Sequence, residues 1–73
     1  MIYVGDRYKD KAGSVFLVKD VKKRDEHLYH FQMGGVEVLM ECTIGKHKGR
    51  ETWFDYSFVE SCLGENGILE KLK

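Results

Sequence analysis

Signals for tight turns interrupt this chain at short, regular intervals. They fall at residues 5–6, 11–13, 22–26, 34–35, 45–49 and 64–67, where glycines or clustered charges occur. Turns about 8–12 residues apart, with strand-forming residues between them, are typical of antiparallel meanders and small barrels. The spacing therefore predicts a mostly β domain rather than alternating strands and helices.

The length of 73 residues sets the scale of that domain. It fits a single domain, residues 1–73, with one thin core, because so short a chain buries only about 60% of the surface it exposes when unfolded. Apolar residues make up 42% of the chain, which favours a folded protein over a disordered one. A deep, water-excluding pocket hardly fits, so the length disfavours an enzyme.

The clearest strand covers residues 36–44. Apolar side chains stand at every second position: Val36, Val38, Met40, Cys42 and Ile44. A period of two is what a half-buried antiparallel strand requires. Residues 14–22, 28–33 and 51–56 also have strand composition, and the glycines at 34–35 predict a tight hairpin that pairs 28–33 with 36–44.

A short helix is predicted near the C-terminus. Residues 57–60 read S-F-V-E and match a capping box, apolar residues follow at helical spacing, and Gly64 is a natural end. Residues 68–72 fit either a closing strand or a frayed helix. Together these elements predict a small barrel of about five antiparallel strands with one short helical turn near the C-terminus. The alternative is an open antiparallel sheet with one helix packed across it. The expected core contains five apolar side chains: Phe16, Val18, Phe31, Val38 and Met40.

The first hairpin follows a family pattern. Residues 5–10 read G-D-x-Y-x-D, and residues 13–18 read G-x-x-F-x-V. This pattern resembles the opening of SH3-like small barrels, and short bacteriophage and prophage accessory proteins often begin in the same way. The resemblance covers residues 1–21. It implies a five-stranded barrel whose members are mostly binding modules, although a shared fold does not by itself assign a function.

Charge and cysteine content limit the environment of the protein. Lys plus Arg and Asp plus Glu each number 12, so the formal net charge is zero and does not indicate a nucleic-acid or membrane binder. Two cysteines are fewer than a disulfide-stabilised secreted domain usually carries. The apolar start is too short for a signal peptide, and no run approaches a membrane span. We expect a reduced, cytoplasmic protein, complete from Met1, with no membrane association.

No residue pattern points to catalysis, a cofactor or a metal. His27, His30, Cys42 and Cys62 are not spaced as zinc ligands usually are, so ordinary histidines and buried thiols explain them better. No serine or cysteine stands in a nucleophile motif. Residues 45–50 are basic and glycine-rich, but they lack the P-loop pattern and favour a turn with solvated charges. We therefore predict no catalytic residue, no cofactor and no metal ligand.

Two basic loops and two apolar side chains are the binding candidates: Lys22, Lys23, Arg24, Leu39, Lys46, Lys48, Arg50 and Trp53. If the fold brings the loops to one side, they form a phosphate-sized basic patch. Trp53 and Phe54 are neighbours on a strand, so they face opposite ways and one of them can be exposed. An exposed ring suits base stacking beside the basic loops, or a protein interface together with Leu39. Simple core packing explains the same residues equally well, because curved strands can bury part of both faces.

These observations favour a non-enzymatic module that binds a protein partner, in keeping with a phage-type modulator of a host component. The alternative is a nucleic-acid-binding barrel that uses the basic loops. An enzyme is the third class, and the missing site residues disfavour it. The sequence also favours a homodimer, because residues 68–73 can pair with the edge of a second copy as well as cover their own edge.

Overall fold

A computed structural model describes residues 1–23, 35–64 and 67–72. The elements within these ranges are five strands and one helix: β1 (Arg7–Asp10), β2 (Val15–Lys23), β3 (Val36–Ile44), β4 (Glu51–Asp55), α1 (Tyr56–Leu63) and β5 (Leu69–Leu72). The protein is therefore mostly β with one short helix near the C-terminus, as predicted. Residues 68–72, which fitted either a strand or a helix, contain a strand.

All the strands belong to one antiparallel sheet in the order β4-β3-β2-β1-β5. β4 and β5 are the edge strands, and these two described strands do not pair with each other, so the sheet is not closed. The last strand lies against β1 of its own chain, in register from Arg7 opposite Leu72 to Asp10 opposite Leu69. The C-terminal tail thus covers an edge that β1 would otherwise expose.

The predicted hairpin between residues 28–33 and 36–44 is wrong where the structure can test it. Along residues 37–41, β3 is paired with β2 on one side and with β4 on the other. Both of its hydrogen-bonding edges are therefore in use there. Residues 28–33, and with them the predicted core residue Phe31, lie outside the described residues.

The pairing of β2 with β3 shifts register twice. One shift lies between Val15 and Phe16, and the other lies between Val18 and Asp20, where Lys19 is the extra residue. Such bulges bend a strand and increase its twist. The extra residue of the first shift is Thr43, in β3. In β2, Val15 is buried, and Phe16 is only partly buried rather than a fully buried core residue as predicted.

The core lies between α1 and one face of the sheet, which we call the inner face. Its buried hydrophobic side chains are Ile2, Tyr8, Val15, Val18, Val38, Met40, Cys42, Val59 and Cys62. The predicted burial of Val18, Val38 and Met40 is confirmed. Tyr8, which the sequence did not single out, is completely buried because its ring packs into the core while its hydroxyl reaches a carboxylate at the rim.

That carboxylate, Asp6, joins three parts of the chain. It accepts hydrogen bonds from the Tyr3 backbone N–H (3.0 Å) and the Tyr8 hydroxyl (3.0 Å), and it pairs with Lys71 Nζ at 3.5 Å. Burial by itself would raise the pKa of Asp6, but these three donors outweigh burial and hold the pKa below its ordinary value of 3.8. Burial, and then the Asp6 carboxylate, raise the pKa of Tyr8 well above 10.0. Through these two hydrogen bonds and the ion pair, the ionised Asp6 carboxylate holds the N-terminal turn and β5 against β1.

The helix begins at Tyr56, one residue before the predicted capping box. Asp55 is the N-cap, and its carboxylate accepts a hydrogen bond from the Phe58 backbone N–H at 3.4 Å. The hydroxyl of Ser57 donates to the same carboxylate at 2.8 Å, so the prediction that Ser57 caps the helix is wrong. Aspartate accepts the bond to the third helical residue at least as well as serine does. Gly64 ends the helix as predicted, with its N–H donating to the carbonyl of Glu60. α1, the helix that the described residues form, is too short to cross a membrane.

Candidate functional site

Leu39 and Trp53 stand directly opposite each other on β3 and β4. Their neighbours Val38, Met40 and Phe54 contribute to the core, so the alternation of the strands places Leu39 and Trp53 on the other face of the sheet, which we call the outer face. Trp53 is 41% exposed, whereas Phe54 is partly buried and packs against the core. The prediction that one of the two rings would be exposed is confirmed.

The backbone pairing brings the two side chains close together. At the end of the β3–β4 hairpin, the Gly49 N–H donates to the Cys42 carbonyl (2.7 Å), and the Cys42 N–H donates to the Arg50 carbonyl (2.9 Å). These two bonds define a hydrogen-bonded pair at Cys42. Because hydrogen-bonded and non-hydrogen-bonded pairs alternate, Leu39 and Trp53 form a non-hydrogen-bonded pair, in which Cα atoms approach to about 4.5 Å and side chains lie closest. We call this pair the Leu39–Trp53 patch.

Acidic residues surround the Leu39–Trp53 patch on three strands. They precede and follow Leu39 in β3, precede and follow Trp53 in β4, and oppose Leu39 from β2: Glu37, Glu41, Glu51, Asp55 and Asp20. Two lysines lie among them. Lys19 forms an ion pair with Glu41 at 3.3 Å, and Lys22 stands opposite Glu37. Among the residues that the structure describes, carboxylates outnumber ammonium groups five to two here, so these residues give the exposed aromatic ring a negative environment.

The prediction that Lys22 and Lys23 lie in a loop is wrong, because both residues belong to β2. The two basic groups lie at opposite ends of the β2–β3 ladder. Lys22 and Lys23 pair with Glu37 and Val36 at one end, and the turn that carries Lys46, Lys48 and Arg50 follows Ile44 at the other. Seven residues of extended strand separate Glu37 from Ile44, or roughly 24 Å at about 3.4 Å per residue. The structure therefore does not bring Lys22 and Lys23 together with the second basic group. Arg24 lies outside the described residues.

The turn at residues 45–50 uses its backbone donors internally. The N–H groups of Lys48, Gly49 and Arg50 bond to the carbonyls of Gly45, Cys42 and His47, respectively. Gly45 has a φ of 128°, and a Cβ at this position would lie 2.5 Å from Ser14 Oγ, so the close approach of the turn to β2 requires glycine. With these three amides occupied, the turn presents exposed basic side chains rather than a backbone cradle for an anion, in agreement with its interpretation as a solvated turn.

The inner face of the sheet is incompletely covered, because α1 is only eight residues long. Two open cavities of about 200 and 180 Å³ share Phe16, Met40 and Phe54 as lining. The first extends to His47, Arg50 and Thr52 below the basic turn, and the second extends to the exposed side chains of Phe58 and Ile68. Both are smaller than the 300 Å³ or so at which small-molecule sites usually begin. The sequence did not reveal this groove, because its lining comes from elements distant in the chain.

Among residues 1–23, 35–64 and 67–72, no three His, Cys, Asp or Glu side chains cluster as metal ligands would. Cys42 and Cys62 are free, buried thiols, one on β3 and one on α1. His27 and His30 lie outside the described residues.

Comparison with known proteins adds no relative. No protein-family model, no curated protein and no solved structure matches the chain. A function can therefore be inferred only from the geometry and charge of the residues that the structure describes.

Proposed function

We propose that the chain is a non-enzymatic binding module for a protein partner and that the Leu39–Trp53 patch is the centre of its contact surface. The observation that carries this proposal is the exposure of Trp53 beside Leu39 on the outer face. An indole ring offers a large apolar area with few rotatable bonds, and tryptophan is among the residues that most often dominate the energy of protein interfaces.

The charge around the patch favours a protein partner over a nucleic acid. Bases stack on aromatic rings in single-strand binders, but a positive groove must track the phosphates at the same time. Glu41 and Glu51 stand opposite each other two pairs along from the Leu39–Trp53 pair, which is the next pair on the outer face. Their carboxylates would repel a phosphate backbone at the point where a base would have to stack.

The inner-face cavities support a binding role rather than catalysis. They are open, small and mostly apolar in lining, with Cys42, His47 and Arg50 as the titratable side chains of the first and Asp10 and Cys62 as those of the second. The Cys42 thiol is buried and donates to the Ile44 carbonyl rather than to His47. A catalytic site needs a nucleophile or a base beside an orienting partner. Asp10 instead accepts bonds from the backbone N–H groups of Ala12 and Ser14, which explains its presence as a turn residue.

Nucleic-acid binding is the second candidate, and the exposed basic turn favours it. Lys46, His47, Lys48 and Arg50 all reach solvent within one short turn. Binding to generic DNA and RNA at low and moderate salt is the direct test, since phosphate contacts weaken steeply with ionic strength. Tight, salt-steep binding that Lys46→Gln/Lys48→Gln abolishes would overturn the protein-partner proposal.

The proposed form of the domain is an SH3-like small barrel. Five strands, a β2–β3 ladder with two register shifts and a helix before the last strand support this form. The narrower hypothesis of a phage-type modulator of a host component rests on the resemblance of residues 1–21 alone.

Affinity capture from the native host's lysate tests the proposed surface. The wild type is compared with Leu39→Ala/Trp53→Ala and with a control, Tyr3→Ala, which also removes an exposed aromatic ring but lies outside the patch. We expect a protein retained at near-stoichiometric amount by the wild type and Tyr3→Ala and lost with the double variant, with all three shown to be folded by circular dichroism. Equal retention by the double variant would show that the contact surface lies elsewhere.

A further inference from the structure

β4 is an edge strand, so alternate backbone N–H and C=O groups of this strand point away from the sheet. Thr52 and Phe54 oppose Met40 and Val38 in the hydrogen-bonded positions, so their N–H and C=O groups point towards β3. The N–H and C=O groups of Glu51 and Trp53 therefore point the other way, where none of the described strands pairs with them. An open row of such groups is a template for one more strand.

The outer-facing side chains of β4 are two carboxylates with an aromatic ring between them. Glu51, Trp53 and Asp55 occupy alternate positions and share one face. Side chains of an added strand would stand directly beside them, because opposite residues in a sheet point to the same face. Lysine or arginine complements the Glu51 carboxylate and the negative charge of Asp55, whose carboxylate also caps α1, and the cation of a third basic side chain is attracted to the face of an indole. The outer face of the incoming segment should therefore be basic.

The inner-facing side chains of β4 favour apolar rather than basic residues in an added strand. Thr52 and Phe54 line the open cavity of about 200 Å³, together with Phe16 and Met40 of the neighbouring strands. Alternate residues of an added strand would point towards this cavity, where apolar side chains can replace water on a mostly apolar surface. The inner face of the incoming segment should therefore be apolar.

We propose that the free edge of β4 binds an extended partner segment in which basic and apolar residues alternate. Backbone hydrogen bonds to Glu51 and Trp53 would hold the segment, its basic side chains would lie beside Glu51, Trp53 and Asp55, and its apolar side chains would enter the inner cavity. This proposal rests on the proposed function and specifies the chemistry of the partner.

A second copy of the chain is a poor occupant of this edge. If two β4 strands paired about Trp53, Glu51 of each copy would stand opposite Asp55 of the other. Like charges directly opposite each other destabilise a sheet. The same carboxylates that attract a basic segment thus disfavour pairing of β4 with itself.

Amide hydrogen exchange with a synthetic peptide tests the mode of binding. The probe is a short peptide of alternating lysine and valine, and exchange is followed by NMR on the full-length protein. In the free protein, we expect the amide protons of Glu51 and Trp53 to exchange faster than those of Thr52 and Phe54, which already donate to β3. Saturating peptide should slow exchange at Glu51 and Trp53 by at least about tenfold, because these amides then donate to the peptide.

Two control peptides separate strand addition from simple charge attraction. One has the same composition with the lysines and valines in separate blocks, and the other keeps the alternating sequence but carries N-methyl groups on the amides that face β4. Both should bind at least about tenfold more weakly than the probe. Equal binding of all three peptides, or binding of the probe without protection of the Trp53 amide, would overturn the proposal.

Variants of the protein supply the matching test. Trp53→Ala should weaken binding of the probe by about tenfold or more, and Glu51→Lys should weaken it several-fold. Glu60→Lys makes the same charge change at an exposed position of α1 and should leave binding unchanged. If the probe fails to bind but lysate capture still depends on Leu39 and Trp53, strand addition is wrong and the proposed contact surface stands. If both fail, both proposals are wrong.

Discussion

The two faces of the β3–β4 hairpin differ in what covers them. On the inner face, Val38 and Met40 are almost completely buried beneath α1, and Phe54 packs beside them. On the outer face, Leu39 lies between Val38 and Met40 in sequence and is partly buried, and Trp53 precedes Phe54 and is 41% exposed. Adjacent residues of the same two strands thus occupy an apolar core and a solvated, acidic surface.

This difference separates stability from recognition at the level of single residues. The inner residues are covered within the chain, so replacing them should mainly change the free energy of unfolding. The outer residues leave apolar area in water, which contributes little to folding but is available to a partner. A small domain can keep such a surface soluble by surrounding it with charge, as the five carboxylates do.

The largest effect is expected from removal of β5, the strand that covers β1. Deleting residues 68–73 exposes the β1 edge and removes the partner of Asp6, Lys71. We expect the truncated chain to lose several kcal/mol of stability and to be largely unfolded at 37 °C, since a domain of this size has little margin. Thermal unfolding by circular dichroism measures the loss.

The mass of the full-length protein in solution, measured together with its thermal unfolding, tests the predicted homodimer. A dimer formed through residues 68–73 would have to pair the other edge of β5, because one edge of this strand already pairs with β1 of its own chain. Such pairing should give a dimer of the full-length protein at high micromolar concentration. A monomeric full-length protein would contradict the homodimer. A truncation with unchanged stability would show that β5 contributes nothing to the fold.

The next largest effect is expected on the inner face of the hairpin. Met40→Ala should cost roughly 2–5 kcal/mol, because it leaves a cavity in a core that has few other side chains to fill it. Leu39→Ala, one residue away on the outer face, should cost clearly less. Urea denaturation of both variants measures the difference. Equal losses would mean that the outer face is packed as tightly as the inner one.

A smaller loss is expected when both buried thiols become hydroxyls. Cys42→Ser/Cys62→Ser keeps the side chains nearly the same size but places two polar groups in an apolar core. Each hydroxyl that is left without a hydrogen-bond partner should lower the free energy of unfolding by about 1–3 kcal/mol. Cys42 Sγ lies 3.3 Å from the Ile44 carbonyl, so a hydroxyl there can find an acceptor. The variant should fold with a lower urea midpoint, and a chelator should change neither protein. Unfolding of the wild type by chelator would contradict the prediction that the thiols bind no metal.

The smallest effect is expected at the rim of the core, and it depends on pH. The folded state holds the pKa of Asp6 below 3.8, so the ionised carboxylate stabilises the fold above that pH. This contribution is lost as the pH falls through 3.8 and then through the lower pKa of the folded state. Asp6→Asn should therefore melt at a lower temperature than the wild type at pH 7, and the gap should narrow towards about pH 3. A gap that stays constant with pH would show that the Asp6 charge does not stabilise the fold.

Local patterns predicted most of the strands but not how they pair. Alternation placed β3 at residues 36–44 and put Leu39 and Trp53 on a different face from Val38 and Phe54, and these features are confirmed. Pairing of residues 28–33 with this strand was wrong along residues 37–41, because a glycine pair shows only that the chain can turn. Which strands become neighbours depends on the burial of every apolar face at once.

Charge patterns were the least predictable from the sequence. The two basic groups look alike as sequence, yet one ends β2 and the other follows β3 in a turn, so they lie at opposite ends of the β2–β3 ladder. The carboxylates around Trp53 come from three strands, and three of them, Asp20, Glu37 and Glu41, are distant from Trp53 along the chain. Only the register of the sheet places them beside one ring.

By itself, the sequence determined the class of the domain, the bounds of β3 and the end of the helix, because alternation and glycine act within a few residues. The tertiary structure alone decided the position of Tyr8 in the core, the place of β4 at the edge of the sheet that the described strands form, and the acidic surroundings of the Leu39–Trp53 patch. These features depend on which distant segments meet. That choice is made by the burial of apolar area over the whole chain rather than by any local preference.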